Sequence, residues 1–419
     1  MKIRRLAGLE ILDSRGRPTV QATCTLESGA VGTASVPSGA STGMGEAHEL
    51  RDGDPNRYGG LGCRIAVAGI EGELNDALAG RAAATQEQLD RALIELDGTQ
   101  DKSRLGANAI LAVSLAFARA SAAERKQLLY TYLADLVDET PRTLPRPEIN
   151  LFSGGRHAGG HVALQDILAI PTGARTIDES LTTMFDLYRA AARLALDRYG
   201  MRELTADEGG LAPPFPSVEQ MLADAAELIA AAPVRLSIDV AASQFYRAGH
   251  YVLDGHTLDP EAMIERLLDW IRRYPIAAVE DGLAEDQWEA WAAFRAAAAG
   301  KVLVVGDDLL CTNPARIRRA VEDKSADALL IKLNQVGTLT EAAEARAIAR
   351  GAGWRVIASG RSGETEDDWL ADLAVGWSAD LIKIGSIRQS ERLAKYNRLL
   401  AIERETHLPL APLAPSPLH

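Results

Sequence analysis

Short apolar runs along the chain end repeatedly in a charged residue, and the clearest example spans residues 301–338. Residues 302–305 form a β-branched run that stops at Gly306 and is followed by two aspartates, the first being Asp307. The tripeptide Thr312-Asn313-Pro314 then places a proline inside the first turn of a polar helix. A second apolar run ends in Lys332. The pattern therefore predicts a strand, a loop, a helix and a strand.

This unit recurs over the second half of the chain, with one predicted strand and helix between successive polar strand ends. Such regularity predicts a closed α/β barrel of roughly 250 residues or more. An open doubly wound sheet is the alternative, although no Gly-x-Gly-x-x-Gly motif follows a first strand. The predicted strands are residues 150–153, 163–171, 236–240, 276–279, 302–305, 328–331, 356–359 and 381–383.

The first third of the chain has a different pattern. Residues 1–35 alternate between apolar and polar positions as two or three antiparallel strands do, and helices dominate from residue 65 to residue 124. Pro141, Pro145 and Pro147 then indicate a linker. We accordingly predict a smaller α+β domain over residues 1–135 and a barrel domain over residues 136–419.

Charge and composition narrow the function classes. The net charge is −13, which disfavours nucleic acid or an anionic membrane surface as a partner. The apolar stretch near residues 105–120 is too short and too polar to span a membrane. The three cysteines form no Cys-x-x-Cys pair, and residues 1–16 contain an acid where an export signal has an apolar core. These features predict a cytoplasmic protein.

Three carboxylates stand at successive predicted strand ends: Asp239, Glu280 and Asp307. In a parallel barrel those ends meet at one face, which is where enzymes of this fold keep their chemistry. Several hard oxygen ligands suit Mg²⁺, and no histidine or cysteine occupies these positions for zinc. The alternative is that each acid caps a helix or forms an ion pair.

Lys332 and Lys383 end apolar strands, where an ammonium group is unfavourable unless it is paired. A buried lysine beside another cation loses proton affinity and becomes a base near neutral pH, whereas a plain ion pair to Asp307 or Glu280 is the alternative. Arg361 and Ser362 begin a helix after another strand and suit an anion, most naturally phosphate, although ordinary helix capping explains them equally well.

Nine segments, spanning nearly the whole chain, resemble the enolase (phosphopyruvate hydratase) family. They are ILDSRGRPTV, VPSGASTG, GANAILAVSLA, GGRHA, DEGGLAP, VGDD with TNP, LLIKLNQVGTLTE, SGRSGETED and SERLAKYNRLL. The resemblance implies an N-terminal α+β capping domain and a C-terminal modified α/β barrel whose second strand runs against the others. It also implies two Mg²⁺ ions, a small phosphorylated substrate of the 2-phosphoglycerate type, and a dimer or a ring of dimers.

The resemblance further implies a role for each site residue. Asp239, Glu280 and Asp307 resemble the ligands of the first Mg²⁺. Lys332 resembles the base that removes the proton beside the substrate carboxylate, and Lys383 resembles the residue that holds that carboxylate. The other implied site residues are Glu208 and Asp166 in proton donation to the leaving hydroxide, Arg361 and Ser362 at the phosphate, His157 and Gln165 beside the substrate, and Ser41 of the loop 37–45 at the second metal ion.

Some positions depart from the family pattern. Asp166 stands where the family has glutamate, and Gly360 stands where it has histidine. A carboxyl group one methylene shorter offers its proton from about an ångström further back, which should cost somewhat less than the 10²–10⁴-fold of a lost acid or base. Gly360 is expected to leave space beside the phosphate site. Gly282, Leu211 and residues 384–387 replace a proline, a phenylalanine and a Thr-Gly-Ala-Pro segment.

Three interpretations follow from these departures. The first is a divergent enolase that dehydrates 2-phosphoglycerate or a near analogue. The second is a specialised paralogue that resembles carboxyphosphonoenolpyruvate synthase, with a substrate carrying a larger group at phosphorus near Gly360. The third is a non-catalytic protein that keeps the fold as a binding surface. The retained acids and lysines argue against the third interpretation.

Overall fold

The computed structural model describes residues 1–40, 43–81 and 83–413. Ser41, which was expected at the second metal ion, lies outside the described residues. The chain begins with an antiparallel sheet in the order β1-β2-β3. Its strands are β1 (Ile3–Leu12), β2 (Pro18–Leu26) and β3 (Val31–Ser35). Three strands were within the range predicted for this segment.

Five α-helices follow the sheet in the described residues before the barrel begins. They are α1 (Arg64–Gly69), α2 (Asn75–Leu78), α3 (Gln86–Asp97), α4 (Ala107–Glu124) and α5 (Leu129–Asp135). Helix α4 is apolar on nearly every face and is buried between the sheet and the barrel. It lies close to β3 because Gly32 leaves no room for a Cβ against the backbone of Ala116.

Eight of the described strands close into a barrel in the order β10-β11-β12-β13-β14-β4-β5-β6. These strands are β4 (Arg146–Ser153), β5 (Asp166–Pro171), β6 (Val234–Asp239), β10 (Ile276–Glu280), β11 (Leu303–Gly306), β12 (Ala328–Ile331), β13 (Arg355–Ser359) and β14 (Leu381–Lys383). Strand β5 runs antiparallel to both β4 and β6, and the other neighbours are parallel. The barrel and the reversed second strand are therefore confirmed.

Helices cover the outside of the barrel, and a small hairpin sheet lies beside it. The helices are α6 (Ile177–Tyr199), α7 (Val218–Ile229), α8 (Pro260–Arg273), α9 (Trp288–Ala298), α10 (Pro314–Asp323), α11 (Leu339–Gly351), α12 (Trp369–Gly376) and α13 (Ser390–Thr406). The small sheet contains β7 (Tyr246–Arg247), β8 (His250–Leu253) and β9 (His256–Leu258). None of the helices described here combines the length and the apolarity that a membrane crossing requires.

N-terminal capping residues begin two of the helices that follow barrel strands. Asn313 caps α10 by accepting hydrogen bonds from the amides of Ala315 and Arg316, and Pro314 occupies the first turn as predicted. Thr338 caps α11 by accepting from the amide of Glu341. The predicted linker is wrong at Pro147, because β4 begins at Arg146 and the strand includes this proline.

Candidate active site

The charged strand ends meet at one face of the barrel. Asp239, Glu280 and Lys383 are the last residues of β6, β10 and β14, while Asp307 follows β11 and Lys332 follows β12. Asp239 and Glu280 are direct neighbours in the parallel register of β6 and β10. Because parallel strands end at the same edge, residues far apart in sequence converge here.

The two lysines lie between the three carboxylates. Lys383 Nζ donates to Asp239 Oδ2 at 2.8 Å and to Glu280 Oε2 at 2.6 Å, and it is buried. Lys332 Nζ donates to Asp307 Oδ2. The ion pairs considered as the alternative are therefore present in this structure. Both lysines nevertheless face the carboxylates expected to bind the metal, so the two roles share one site.

Electrostatics in this cluster favour charged lysines. Burial lowers the pKa of Lys332, but Asp307 and Glu280 outweigh it and place this pKa above its ordinary value. The pKa of Lys383 also lies well above its ordinary value, because Asp239 and Glu280 outweigh its burial. A lowered lysine pKa was expected beside a cation, and in this arrangement carboxylates face the amines instead.

The carboxylate of Glu280 is only partly satisfied by the protein. Burial and the neighbouring Asp239 raise its pKa well above the ordinary value. Its Oε1 atom is buried and has no hydrogen-bond partner in the described part of the chain. A buried carboxylate oxygen without a partner is unfavourable unless a cation or proton joins it. The donor set of carboxylate oxygens, with this oxygen unpartnered, fits a hard divalent cation.

A compact acidic group shares only Asp307 with the predicted triad. Oxygens of Asp281, Asp307 and Asp308 lie within 4.8 Å of one another, whereas Asp239, Glu280 and Asp307 do not form such a group among the described residues. Asp281 accepts hydrogen bonds from the amides of Asp307 (3.0 Å) and Asp308 (2.7 Å). Burial, followed by Asp307, raises the pKa of Asp308 to about 8. The pairs Glu280-Asp281 and Asp307-Asp308 are visible in the sequence. The contact between Asp281 and the second pair was nevertheless not predicted.

A second polar cluster contains His157, Asp166 and Glu208, with one ligand-type atom of each within 4.8 Å of the others. His157 Nδ1 lies 2.9 Å from Asp166 Oδ2, and Ser153 Oγ donates to Asp166 Oδ1 at 2.5 Å. Asn150 Nδ2 donates to Glu208 Oε2 at 3.1 Å. The structure thus brings together the three residues that the sequence placed in proton donation and beside the substrate.

The two carboxyl groups of this cluster are driven apart in proton affinity. Burial raises the pKa of Asp166 despite the opposing effect of His157. The pKa of Glu208 is lowered, because His157 and nearby cations outweigh its burial. Environments that separate two carboxyl pKa values are typical of acid–base pairs. Asp166, the residue that departs from the family glutamate, is the member whose pKa is raised.

The His157–Asp166 pair predicts a pH-dependent stability. Burial lowers the pKa of His157, but Asp166 outweighs it and raises this pKa to about 9, above the 6.5 of an unperturbed histidine. The contribution of charged His157 to stability is therefore fully present below pH 6.5 and is lost as the pH rises through 9. Urea unfolding in EDTA between pH 6 and pH 9.5 should show this loss, and a His157→Gln variant should show a smaller decline. Parallel declines in both proteins would contradict the assignment.

Two glutamines hold the carboxylates in place. Gln165 Nε2 donates to Asp239 Oδ2 at 3.1 Å, and Gln335 Nε2 donates to Asp307 Oδ1 at 2.8 Å. Gln335 is itself fixed by the hydroxyl of Thr312, which donates to its Oε1 at 2.6 Å. Gln165 therefore contacts Asp239, one of the carboxylates expected to bind the metal. Gln335 was missed by the sequence analysis, although it lies within the quoted LLIKLNQVGTLTE segment.

The expected phosphate residues lie beside the capping domain. Arg361 is buried and pairs with Glu46, with Nη1 at 3.0 Å from Oε2 and Nη2 at 3.2 Å from Oε1. The same Nη1 donates to Asn334 Oδ1 at 2.9 Å. Ser362 Oγ accepts from the amide of Ala40 at 2.9 Å. The carboxylate of Glu46 thus accepts hydrogen bonds from both terminal nitrogens of the Arg361 guanidinium. No sequence pattern indicated Glu46.

Gly360 does not open free space. A Cβ on this residue would lie 3.0 Å from Glu364 Oε1. That carboxylate is fixed, because Oε1 accepts from the amide of Arg361 at 3.1 Å and Lys395 Nζ lies 2.8 Å from Oε2. The expected space beside Gly360 is therefore partly filled by Glu364, and a side chain at residue 360 requires this carboxylate to move.

Arg392 ties together the loops behind the site. It is fully buried, and its guanidinium donates to the carbonyls of Arg361 (2.6 Å), Ser362 (2.6 Å) and Ile384 (3.0 Å). These carbonyls belong to the loops after β13 and β14, so one side chain fixes the backbone of the expected phosphate site. Its position in the quoted SERLAKYNRLL segment was the only sequence signal.

A polar cavity lies among the strand-end acids and lysines, the His157 cluster and Arg361, and its volume is about 30 Å³. Such a volume suffices for water rather than for a phosphorylated acid. Binding of a substrate therefore requires the contacts between lysines and carboxylates, or the neighbouring loop, to rearrange.

Comparison with protein-family models gives two matches along the chain. Residues 3–133 match the enolase N-terminal domain, and residues 141–408 match the enolase C-terminal TIM barrel domain. The protein belongs to the enolase family. Membership supports an enolase-type function of the lyase class, and this family is generally Mg²⁺-dependent and acts on small phosphorylated substrates.

Proposed function

We propose that this enolase-family protein is a Mg²⁺-dependent hydro-lyase that dehydrates 2-phosphoglycerate or a close analogue to a product of the phosphoenolpyruvate type. The observation that supports this most directly is the placement of Lys332 and Lys383 against Asp239, Glu280 and Asp307 at one face of the barrel. A protein that used the fold only for binding would have no need of two lysines among three carboxylates, one of them buried and the other half-buried, since such charges are costly to bury.

In this proposal Asp239, Glu280 and Asp307 hold magnesium, and Ser41 serves a second ion. Bound magnesium supplies positive charge against the negative charge that develops on the substrate carboxylate. With Asp307 engaged by the metal, Lys332 would be released from its ion pair with this carboxylate and would serve as the base that accepts the α-proton.

The remaining side chains orient the substrate and move the second proton. Lys383, as an ammonium group, holds the substrate carboxylate, and Arg361 with Ser362 binds the phosphate. Asp166, whose pKa is raised, supplies the proton to the leaving hydroxide, with Glu208 and His157 beside it. Gln165 fixes Asp239 through its amide.

A spectroscopic assay tests the proposal. Purified protein with Mg²⁺ should produce ultraviolet absorbance from a new enol double bond with 2-phosphoglycerate or a member of a small panel of analogues. EDTA should abolish the signal, and renewed Mg²⁺ should restore it. The absence of turnover across the whole panel, with Mg²⁺ binding intact, would favour the non-catalytic interpretation instead.

Gly360 supports a second candidate, a paralogue similar to carboxyphosphonoenolpyruvate synthase that acts on a substrate modified at phosphorus. Gly360 lines the cavity beside Arg361 and Ser362, and it presents no side chain there. Glu364 fills part of this region, so a larger substrate group must share the space with its carboxylate.

The variant Gly360→His combined with Asp166→Glu distinguishes the two candidates. We expect kcat/KM on 2-phosphoglycerate to rise by about tenfold, since a repositioned acid should recover part of a 10²–10⁴-fold effect. Displacement of Glu364 should lower the free energy of unfolding by about 1–3 kcal/mol. Asp166→Glu alone is the matched control. A folded double variant with no gain on 2-phosphoglycerate would place the substrate difference elsewhere, for instance in residues 384–387.

A further inference from the structure

An apolar cavity lies at the opposite end of the barrel from the candidate active site. We name it the basal pocket; it has a volume of about 550 Å³ and lies where the parallel strands begin. Its floor includes Ile170, Ala278 and Leu381, which belong to the lower apolar layer inside the barrel. This volume lies in the range of pockets that bind small molecules.

The rim of the basal pocket is positively charged in a protein whose net charge is −13. It is lined by four cations, Arg235, Arg295, Lys301 and Arg355, and by two acids, Asp327 and Asp380. Both acids are already paired inside the rim, because Arg295 lies 2.8 Å from Asp327 and Arg355 lies 2.6 Å from Asp380. The lining described here therefore contains two more cations than acids.

Arg235 supplies the unused donors. Its Nε donates to the carbonyl of Pro275 at 3.3 Å, and its Nη2 donates to the carbonyl of Ile276. No carboxylate pairs with it in the part of the chain that the structure describes, and its Nη1 donates to no acceptor there. A guanidinium group has five N–H donors and is always charged, so Arg235 can still bind an anion in bidentate fashion.

A purely structural role explains only part of this arrangement. The basal face of a barrel commonly serves stability, and the Arg295–Asp327 and Arg355–Asp380 pairs fit that role. Among the described residues Arg235 forms no such pair, and the apolar floor beneath it lines a cavity. An apolar floor beneath a cationic rim is complementary to a molecule with an apolar body and one anionic head.

We propose that the basal pocket binds a small amphipathic anion, with its apolar body on the floor and its carboxylate or phosphate head at Arg235. This site is separate from the candidate active site and does not depend on the proposed dehydration. Pro412 and Leu413 form part of its wall, so residues 414–419 of the same chain are the competing occupant that the test must exclude.

Calorimetric titration with octanoate tests the proposal on the full-length protein. Octanoate should bind saturably, whereas octylammonium and 1-octanol, which have the same tail without the anionic head, should bind at least about tenfold more weakly. Equal affinity for the three probes would overturn the proposal. So would the absence of saturable octanoate binding, including the case in which residues 414–419 cover the pocket.

Two variants within the pocket and one control variant outside it distinguish the basal pocket from other anion sites. Arg235→Gln should weaken octanoate binding by about tenfold, and Arg193→Gln, which removes an exposed arginine outside the pocket, should change it less than twofold. Ala277→Phe keeps every rim charge and fills the pocket, so it should abolish binding. Thermal unfolding checks that each variant is folded. Unchanged affinity in folded Arg235→Gln and Ala277→Phe would show that octanoate binds elsewhere.

Discussion

Lys332→Ala is expected to lower the exchange of the substrate α-proton by about 10³–10⁴-fold, the upper range for loss of a general base, while Mg²⁺ still binds. The reason is that Lys332 Nζ is the amine that faces Asp307, and a methyl group in its place accepts no proton. Exchange is measured by NMR in D₂O with 2-phosphoglycerate, and Mg²⁺ binding is measured by calorimetry. Removal of the lysine also leaves Asp307 free to accept a cation.

The variant Lys332→Arg is the matched control for this experiment. It keeps a positive charge beside Asp307, but a guanidinium group does not lose its proton and therefore cannot serve as a base. Both variants should fail in exchange, and only Lys332→Ala should retain or improve Mg²⁺ affinity. Exchange at the wild-type rate in Lys332→Ala would remove this residue from the role of the base and would leave the choice of base open between the remaining groups.

Lys395→Met is expected to lower the free energy of unfolding by about 3–5 kcal/mol. Lys395 is 1% exposed, and its Nζ donates to the carbonyl of Thr365 at 2.5 Å and pairs with Glu364 Oε2 at 2.8 Å. Methionine fills a similar volume but leaves Glu364 buried without its cation. Because Glu364 also accepts from the amide of Arg361, KM for a phosphorylated substrate should rise as well.

Chemical denaturation of wild type, Lys395→Met and the double variant Lys395→Met with Glu364→Gln measures this effect. Part of the lost stability should return in the double variant, because the uncompensated carboxylate is gone. Asn397→Met, at an exposed position of the same helix, is the surface control and should change stability by less than about 0.5 kcal/mol. A loss below about 1 kcal/mol for Lys395→Met would mean that Glu364 finds another partner or is protonated.

Periodicity alone located the strands and their polar ends. The carboxyl ends of parallel strands meet at one face of the barrel, and a repeating pattern of strands and helices predicts this topology. The polar residues at these ends therefore converge: Asp239, Glu280, Asp307, Lys332 and Lys383. Periodicity did not predict the direction of β5. An apolar run has the same composition in either direction, so the pattern predicted a strand, and only the family resemblance implied that it runs antiparallel.

Contacts between distant segments were not readable from the pattern. Glu46 reaches Arg361 across 315 positions of sequence, and the Asp281 carboxylate accepts the amides of Asp307 and Asp308. Glu364 occupies the space that a glycine at residue 360 had suggested was open. Each of these depends on how two loops approach each other, which short-range propensities do not encode.

The sequence by itself determined the barrel, the acids and lysines at its strand ends, and the family. These follow from local apolar spacing and from motifs that persist in linear order. The tertiary structure decided which acid pairs with which lysine, which carboxyl pKa beside His157 is raised and which is lowered, and where cationic side chains gather at the base of the barrel. Those properties depend on distance and burial, because electrostatic interactions and proton affinity are set by neighbours in space and not by neighbours along the chain.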